Sequence, residues 1–397
     1  MSITTGEVTT ARRLRLALIL GSLSGFGPLT IDMYLPAMPG MAGDLRTSSS
    51  MVQLTLTVFV VGLAVGQVIV GPLSDAWGRR RPLLIGITLY LVASLGCAVA
   101  PTVGWLIAGR VVQSLGAAAG IVLARAIVRD LFRGTAMTRF FSTLMVVNGV
   151  APILAPVVGG QLLTVTTWRA VFLVLAAIGT VLLVAVFFTL PESHHARTRP
   201  RGTLSAFRTL VTDGHYVRYV LAAALMFAAV FAYISGSSFV LQEAYGLTAQ
   251  QFSLVFGLNG LGIVLLGQLN GMLVGRVAGE GTLLRIGLTV ATAGSAGVLV
   301  CAALGLPLLL LLTFLFVVVS MLGLVLANAT SLALDGHGSA AGAASSLQGL
   351  LQFLVGGLAA AAMTLPGPVT AVAMATTMLV CSAAALFVAV RQRGSAE

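Results

Sequence analysis

Two ionisable side chains stand in otherwise apolar stretches: Asp32, within GFGPLTIDMYLPAMP, and Arg110, in the run that opens at Trp105. A charge at the centre of a bilayer costs at least ~2.5 kcal/mol on insertion scales, so each must be compensated or used. A carboxylate in a low-dielectric cavity holds its proton to higher pH and can switch charge near neutrality, the property a proton carrier needs. An arginine does not give up its proton, so Arg110 would bias or relay the state of such a carboxylate. The residue types also allow blander roles. Asp32 could end a helix at the outer interface, just before Pro36 and Pro39, and Arg110 could be satisfied by backbone carbonyls or snorkel outward. Gln113 and Ser114 follow Arg110 and give its helix one polar face.

Further polar groups lie in apolar spans. Asn148, Asn259 and Asn328 can each bond a neighbouring helix or a substrate. Met33, Tyr34, Phe227, Phe231, Tyr233 and Phe239 would line an adaptable apolar cavity, or face lipid and core. His194, His195, His215 and His337 fall in stretches expected to be cytoplasmic loops, which removes them as proton relays across the membrane. The chain carries no zinc, P-loop, Ser-His-Asp or dinucleotide signature. Cys97, Cys301 and Cys381 sit in three different apolar spans, with neither a disulfide framework nor metal-ligand spacing. No enzyme activity, cofactor or metal is expected, and an ion gradient becomes the default energy source.

These residues need a scaffold, and composition fixes its solvent. Hydrophobic residues make up 58% of the chain and charged ones only 8%, a surplus that a water-soluble core could not bury. A helix crosses about 30 Å of hydrocarbon with about 20 apolar residues. Twelve spans fit, at 14–37, 51–73, 83–100, 105–125, 139–163, 169–190, 217–241, 251–274, 284–304, 307–330, 340–363 and 369–390. Their length excludes transmembrane strands, which need about 10 alternating residues. Counted along these spans, Asp32 lies roughly 6–10 Å below the outer end of its helix and Arg110 about 7 Å below its own.

The net charge of +11 raises the possibility of nucleic-acid binding, but its placement removes it. All basic residues are Arg. Arg46 and Arg169 fall on one side of the expected membrane, and nearly all the rest in loops on the other. That asymmetry is the positive-inside pattern, with both termini and the long loop after residue 190 in the cytoplasm. Arg12, Arg13 and Arg15 before the first run resemble a signal peptide, but the run is too long for one, so it reads as an uncleaved span.

The polar segment PESHHARTRPRGTLSAFRTLVTDGHY divides the chain into an N-terminal six-helix bundle (1–190), a cytoplasmic linker (191–216) and a C-terminal six-helix bundle (217–397). A 6+6 plan is that of a transporter built from parallel repeats. Residues 66–86 align without gaps on 267–287, with Gly66/Gly267, Gln67/Gln268, Gly78/Gly279, Leu83/Leu284, Ile85/Ile286 and Gly86/Gly287 matching. Both segments follow the second span of a half. In the first, GPLSDAWGRRRPLLIG, Gly71 and Gly78 would allow close backbone approach, the run Arg79, Arg80 and Arg81 would anchor to the anionic leaflet, and Asp75 could pair with a cytoplasmic Arg in a contact that locks one half on the other in one state. In the fifth span Ala151, Ala155 and Gly159 recur every four residues around Pro152 and Pro156, a spacing that lets backbones approach while the prolines permit bending. Arg125, Arg129, Asp130 and Arg133 read as a cytoplasmic charge cluster.

Taken together the sequence resembles the major facilitator superfamily over its full length, and within it the drug:proton antiporters of the bicyclomycin/chloramphenicol-resistance (Bcr/CflA) family. Asp32 to Pro39 (DMYLPAMP) is similar to that family's first-helix signature, Gly71 to Pro82 to the superfamily's loop after helix two, and Arg110 with Gln113 and Gly116 to its fourth-helix motif. Ala155 to Gly160, with Pro156 and Gly159, resembles the antiporter motif of helix five, to which Pro152 is added just upstream, with Ala155 where the general pattern has Gly. NATSLALDGHGSAAGAASSLQG (328–349) resembles the family's second half. The resemblance implies an all-α, twelve-helix major-facilitator fold, two six-helix halves around a central cavity, in a bacterial inner membrane. It further implies a monomer in which Asp32 couples protons, Arg110 assists their transfer, and the cavity takes small lipophilic drugs. An exporter or symporter of one specific metabolite is the alternative.

Overall fold

The computed structural model describes residues 10–131, 134–192, 203–335, 341–365 and 367–391, and the side chains of these except at 10–14, 129, 134–139, 141–148, 203–207, 341 and 342. The chain is almost entirely helical. In order come α1 (Thr10–Ser24), α2 (Phe26–Asp32), α3 (Met38–Asp44), α4 (Ser49–Trp77), α5 (Arg80–Ala98), α6 (Val103–Leu131), α7 (Gly134–Leu162) and α8 (Arg169–Thr189). They are followed by α9 (Thr203–Thr212), α10 (Gly214–Phe239), α11 (Ala249–Leu273), α12 (Glu280–Leu304), α13 (Leu308–Leu334), α14 (Ala341–Met363) and α15 (Ala371–Val390).

Each expected span falls on one of these elements. Ten helices are long and apolar enough to cross a membrane among the described residues, and α1 with α2–α3 makes an eleventh bent by 49°. The span expected at 139–163 lies on α7, whose side chains are described continuously from Gly149. Local chemistry starts these helices. Ser48 accepts from the Met51 amide, Thr248 forms a capping box with Gln251, and Thr370 accepts from the Ala373 amide. Large apolar side chains such as Phe188 and Leu309 are more than three-quarters exposed on the protein surface, as they can be only where lipid is the solvent.

Two expectations are corrected. The polar segment 191–216 is not simply a loop, since it contains α9, and His215 lies in the first turn of α10, capped by Asp213. Nor is the first span one helix ending near residue 37. Pro28 lacks the N–H that would bond Ser24, the path bends around Gly25, and Pro36 and Pro39 turn the chain through a short 3-10 segment (Leu35–Ala37) into α3.

Packing sorts the helices into two halves. In the first, α6 packs against α4 and α5, and α5 against α8; in the second, α12 packs against α13 and α15, and α10 against α13, α14 and α15. The halves meet chiefly where α7 lies on α11 and α4 lies on α14.

Candidate functional site

Asp32 closes α2, the short helix left by the break in the first span. It is 4% exposed and forms no hydrogen bond or ion pair with any described residue. The helical path continues beyond it to Asp44, twelve residues and about 18 Å along, so Asp32 lies deeper than the count to residue 37 predicts. At the outer end Asp44 is paired with Arg169 and accepts from Trp168 at 2.8 Å, closing the first half on itself.

Arg110 on α6 is fully buried and has no carboxylate partner among the described residues. Its guanidinium stands over the rings of Phe59, Tyr34 and Phe172, 4.2, 4.7 and 5.9 Å from their centroids. Its donors reach Gln113 Oε1 at 2.9 Å and, at 3.5 Å, the carbonyls of Thr30 and Thr55. A desolvated cation over aromatic faces gains about 2 kcal/mol per good contact, which together with the carbonyls replaces the missing anion. Gln113 donates onward to Ser94 at 2.8 Å, so its amide is occupied inside the first half and does not line the seam between halves.

Arg110 and Asp32 therefore do not pair, but they are connected through α2. Arg110 touches the Thr30 carbonyl, and the Thr30 hydroxyl is 2.6 Å from the Tyr90 hydroxyl, whose ring stacks on Phe26 at 4.4 Å. Thr30, Tyr90, Ser94, Phe59 and Phe172 form this clamp, and sequence reasoning missed all five. A lone tyrosine or phenylalanine in a transmembrane helix carries no signal of its partner; only the regular offset from Arg110 to Gln113 was visible.

In the second half, Tyr233 on α10 is buried, accepts from Asn259 Nδ2 at 2.7 Å and stacks on Phe256 at 5.6 Å. Phe231 stacks on Phe227, which meets Phe353 edge-on, an aromatic wall between α10 and α14. Met33 and Tyr34 are buried beside Asp32, with Tyr34 bonded to Thr55. Asn328 bonds Asn270 at 2.6 Å, joining α13 to α11 within the second half, away from the Asp32 seam. The Asn148 side chain lies outside the described residues.

The α7 seam touches both halves. A Cβ on Gly159 would lie 2.2 Å from the Met33 carbonyl, next to Asp32, and one on Gly160 would lie 2.3 Å from Ser253 Oγ on α11. Ala155 is buried, and Pro152 and Pro156 lie within the helix. At the cytoplasmic end, Arg79 bonds Asp75 (2.5 Å), Asp130 (3.0 Å) and Ser74 (2.6 Å), and Glu192 accepts from the Arg79 and Arg80 amides at the start of α5. Ser74, Asp75, Arg79, Arg80 and Asp130 belong to the first half, and Glu192 to the start of the connecting segment. In this outside-closed structure the described partner of Asp75 is Arg79, which ties the end of α4 to the start of α5 and, through Asp130, to α6. Gly78 adopts φ +83° with the Glu192 carboxylate where a Cβ would go, whereas a Cβ on Gly71 would meet nothing within 4 Å, so no close approach requires that glycine. Glu192 was not singled out from the sequence; it follows a proline in what reads as linker.

Hydrogen bonds between halves, among the described residues, gather toward the outer end. Gln53 donates to Ser235 Oγ and the Ala360 carbonyl (3.1 and 3.2 Å), Gln242 to the Pro36 carbonyl (3.2 Å), Gln250 to the Gly160 carbonyl (3.0 Å), Ser50 to the Gly367 carbonyl (3.1 Å), and Ser238 to the Leu35 carbonyl. The outer side is closed.

This arrangement has known counterparts. The chain is 41% identical over 381 residues, 94% of each chain, to an uncharacterized MFS-type transporter, YdgK, of Bacillus subtilis. It is 32% identical over 368 residues, 92% of each, to a bicyclomycin resistance protein homolog of Haemophilus influenzae. It is 29% identical over 245 residues, 62% of each, to multidrug resistance protein D of Escherichia coli. Its fold is similar to the partially occluded inward-open xylose transporter XylE of E. coli, with TM-score 0.74 at 14% identity over 95% of this chain and 97% of that one. It is also similar to the peptide transporter POT, with TM-score 0.75 at 17% identity over 95% of this chain and 92% of that one. The Major Facilitator Superfamily model matches residues 20–361, and the chain is a multi-pass membrane transporter of that superfamily.

Proposed function

We propose that the protein is a proton-coupled antiporter that exports small lipophilic drugs, of the bicyclomycin or chloramphenicol kind, by alternating access. The carrying observation is Asp32, a buried carboxylate with no hydrogen-bond or ion-pair partner among the described residues, beside the seam of the two halves. A group in that setting binds and releases a proton without breaking a structural ion pair. The names of relatives, bicyclomycin resistance protein homolog and multidrug resistance protein, support drugs as the cargo.

In this reading residues 1–190 and 217–397 rock against each other about the α7–α11 and α4–α14 seams, with 191–216 as their cytoplasmic connection. Asp32 protonates from outside as substrate leaves and deprotonates inward as substrate enters. Arg110 positions the helix that carries Asp32 through the Thr30 carbonyl. Met33, Tyr34, Phe231, Tyr233 and Asn259 face or flank the substrate path, and Asn148 joins them by sequence position. The protein works as a monomer in the bacterial inner membrane with both termini in the cytoplasm, as the arginine asymmetry supports.

Asp32→Asn keeps the shape and removes the titration. In everted vesicles, pH-driven efflux should be abolished while the protein still reaches the membrane, and a panel of antimicrobials in an efflux-deficient host should show resistance with wild type alone. Undiminished pH-driven transport by the variant would refute the assignment.

A further inference from the structure

Asp32 and Arg110 are opposite charges buried beside the same short helix, yet they form no ion pair. A donor of Arg110 already reaches the Thr30 carbonyl at 3.5 Å, two residues before Asp32, and its Nη2 is buried without a partner among the described residues. Such charges attract strongly in a medium of low dielectric, so something must hold them apart.

α2 does not fix its own orientation. It has seven residues, and its N-cap, Gly25, supplies no side-chain bond, so its setting depends on what it touches. It packs on α6 and α7, and Tyr90 reaches it from α5. The Tyr90 ring stacks on Phe26, centroids 4.4 Å apart and 9° from parallel, and its hydroxyl lies 2.6 Å from the Thr30 hydroxyl one turn on. Proton counting gives that bond a direction. Thr30 has one hydroxyl proton, and its 2.6 Å contact with the Phe26 carbonyl uses it, because a carbonyl only accepts. Tyr90 is therefore the donor to Thr30.

Tyr90 is itself held firmly. A Cβ on Gly116 of α6 would lie 2.6 Å from the Tyr90 amide nitrogen, and one on Gly179 of α8 would lie 3.4 Å from its ring, so two helices close on Tyr90 where they lack a side chain. It grips Phe26 and Thr30 on one face of α2. Asp32, two residues beyond Thr30, is turned about 200° away, to the other face.

The other titratable or charged groups of the surrounding elements are placed elsewhere. Tyr34 on the same segment is bonded to Thr55, Cys97 lies about two turns beyond Tyr90 on α5, Arg15 stands at the far end of α1, and Arg125 and Asp130 lie about four turns or more from Arg110 along α6. The described side chains of α7 from Gly149, and those of α11, include none. α10, which packs on the 3-10 segment after Asp32, carries Tyr233 there, bonded to Asn259.

We propose that the Tyr90–Thr30 bond is an orientation lock: it keeps α2 from rolling Asp32 toward Arg110, so that the carboxylate takes up and gives up its proton without an arginine beside it. Tyr90 is thus a positioning residue, and the inference rests on Asp32 being the proton-coupling carboxylate. An adjacent arginine favours the ionised carboxylate, so a carrier whose lock is broken takes up its proton only at lower pH.

Infrared titration of the purified full-length protein tests this without a drug. The protonated-carboxyl stretch that is present in wild type and missing from Asp32→Asn reports the proton on Asp32. Tyr90→Phe keeps the stacked ring and removes the donor, and should move the midpoint of that band about one pH unit lower, the effect of an adjacent arginine. Thr30→Val, which removes the acceptor, should do the same, and Tyr90→Phe on an Arg110→Gln background should move nothing. An unchanged or higher midpoint in folded Tyr90→Phe overturns the inference, as does a lowering that persists without Arg110; if Tyr90→Phe does not fold, Thr30→Val decides in the same way. Asp32→Asn separates the two claims: if it still drives efflux from a pH gradient the proton-coupling assignment fails, whereas if it is dead and Tyr90→Phe titrates as wild type, only the present inference fails.

Discussion

At the scale of single residues, the two membrane charges have different solutions. Among the described residues Asp32 has no partner, while Arg110 is held by three rings and three acceptors with no anion. The Arg110 solution depends on a flat, delocalised cation that can lie against Phe59 and Tyr34 while its fork reaches carbonyls in two directions. A lysine ammonium cannot do both. Arg110→Lys should therefore lower the rate of pH-driven efflux at least about tenfold, from losing about 2 kcal/mol of ring contact, and lower the thermal midpoint in detergent. Efflux assays and thermal unfolding on the same preparation check it, and equal behaviour of Lys and Arg would contradict the cage.

At the scale of elements, glycine has two meanings here. Gly159 on α7 faces the Met33 carbonyl, a backbone atom that cannot swing aside, so Gly159→Val should cost about 1–3 kcal/mol through overpacking. Gly71 on α4 faces open space, and Gly71→Ala should stay within about 0.5 kcal/mol of wild type. Thermal unfolding of the two variants side by side measures the difference, and similar losses would show that the α7 contact is slack. The broken first span is another element-scale device. Pro28, Pro36 and Pro39 end a long helix early, and the short α2 that remains can be positioned by Tyr90 and Arg110 independently of α1.

At the scale of the molecule, closure is uneven. The Gln53, Gln242, Gln250, Ser50 and Ser238 bonds between halves gather on the outer side, while at the cytoplasmic end the bonds described among Asp75, Arg79, Asp130 and Glu192 tie α4, α5 and α6 to the start of the connecting segment. The outer latch is made of neutral hydrogen bonds worth about 0.5–1.5 kcal/mol each, weak enough singly to open during a cycle. Gln53→Ala combined with Gln242→Ala should shift the population several-fold toward an outside-open form. With the three native cysteines replaced, faster labelling of Ser235→Cys by an impermeant thiol reagent from outside would report it; an unchanged rate would mean the latch lies elsewhere.

Sequence alone determined the solvent and the positions of the long apolar helices, and it singled out Asp32 and Arg110, because hydrophobic run length and isolated charges in hydrocarbon are local quantities. It also marked Ala151, Ala155 and Gly159 as a packing face, since four-residue spacing lies on one side of a helix. It could not say that Arg110 is caged by Phe59, Tyr34 and Phe172 instead of meeting Asp32, that Arg79 ties Asp75 to Asp130, or that Glu192 caps α5. Those relations join residues far apart in the chain, and each depends on which way a side chain points once helices have packed. Asp32 itself was visible as a carboxylate in the wrong solvent; that it is buried with no partner among the described residues was decided only by the way the helices pack.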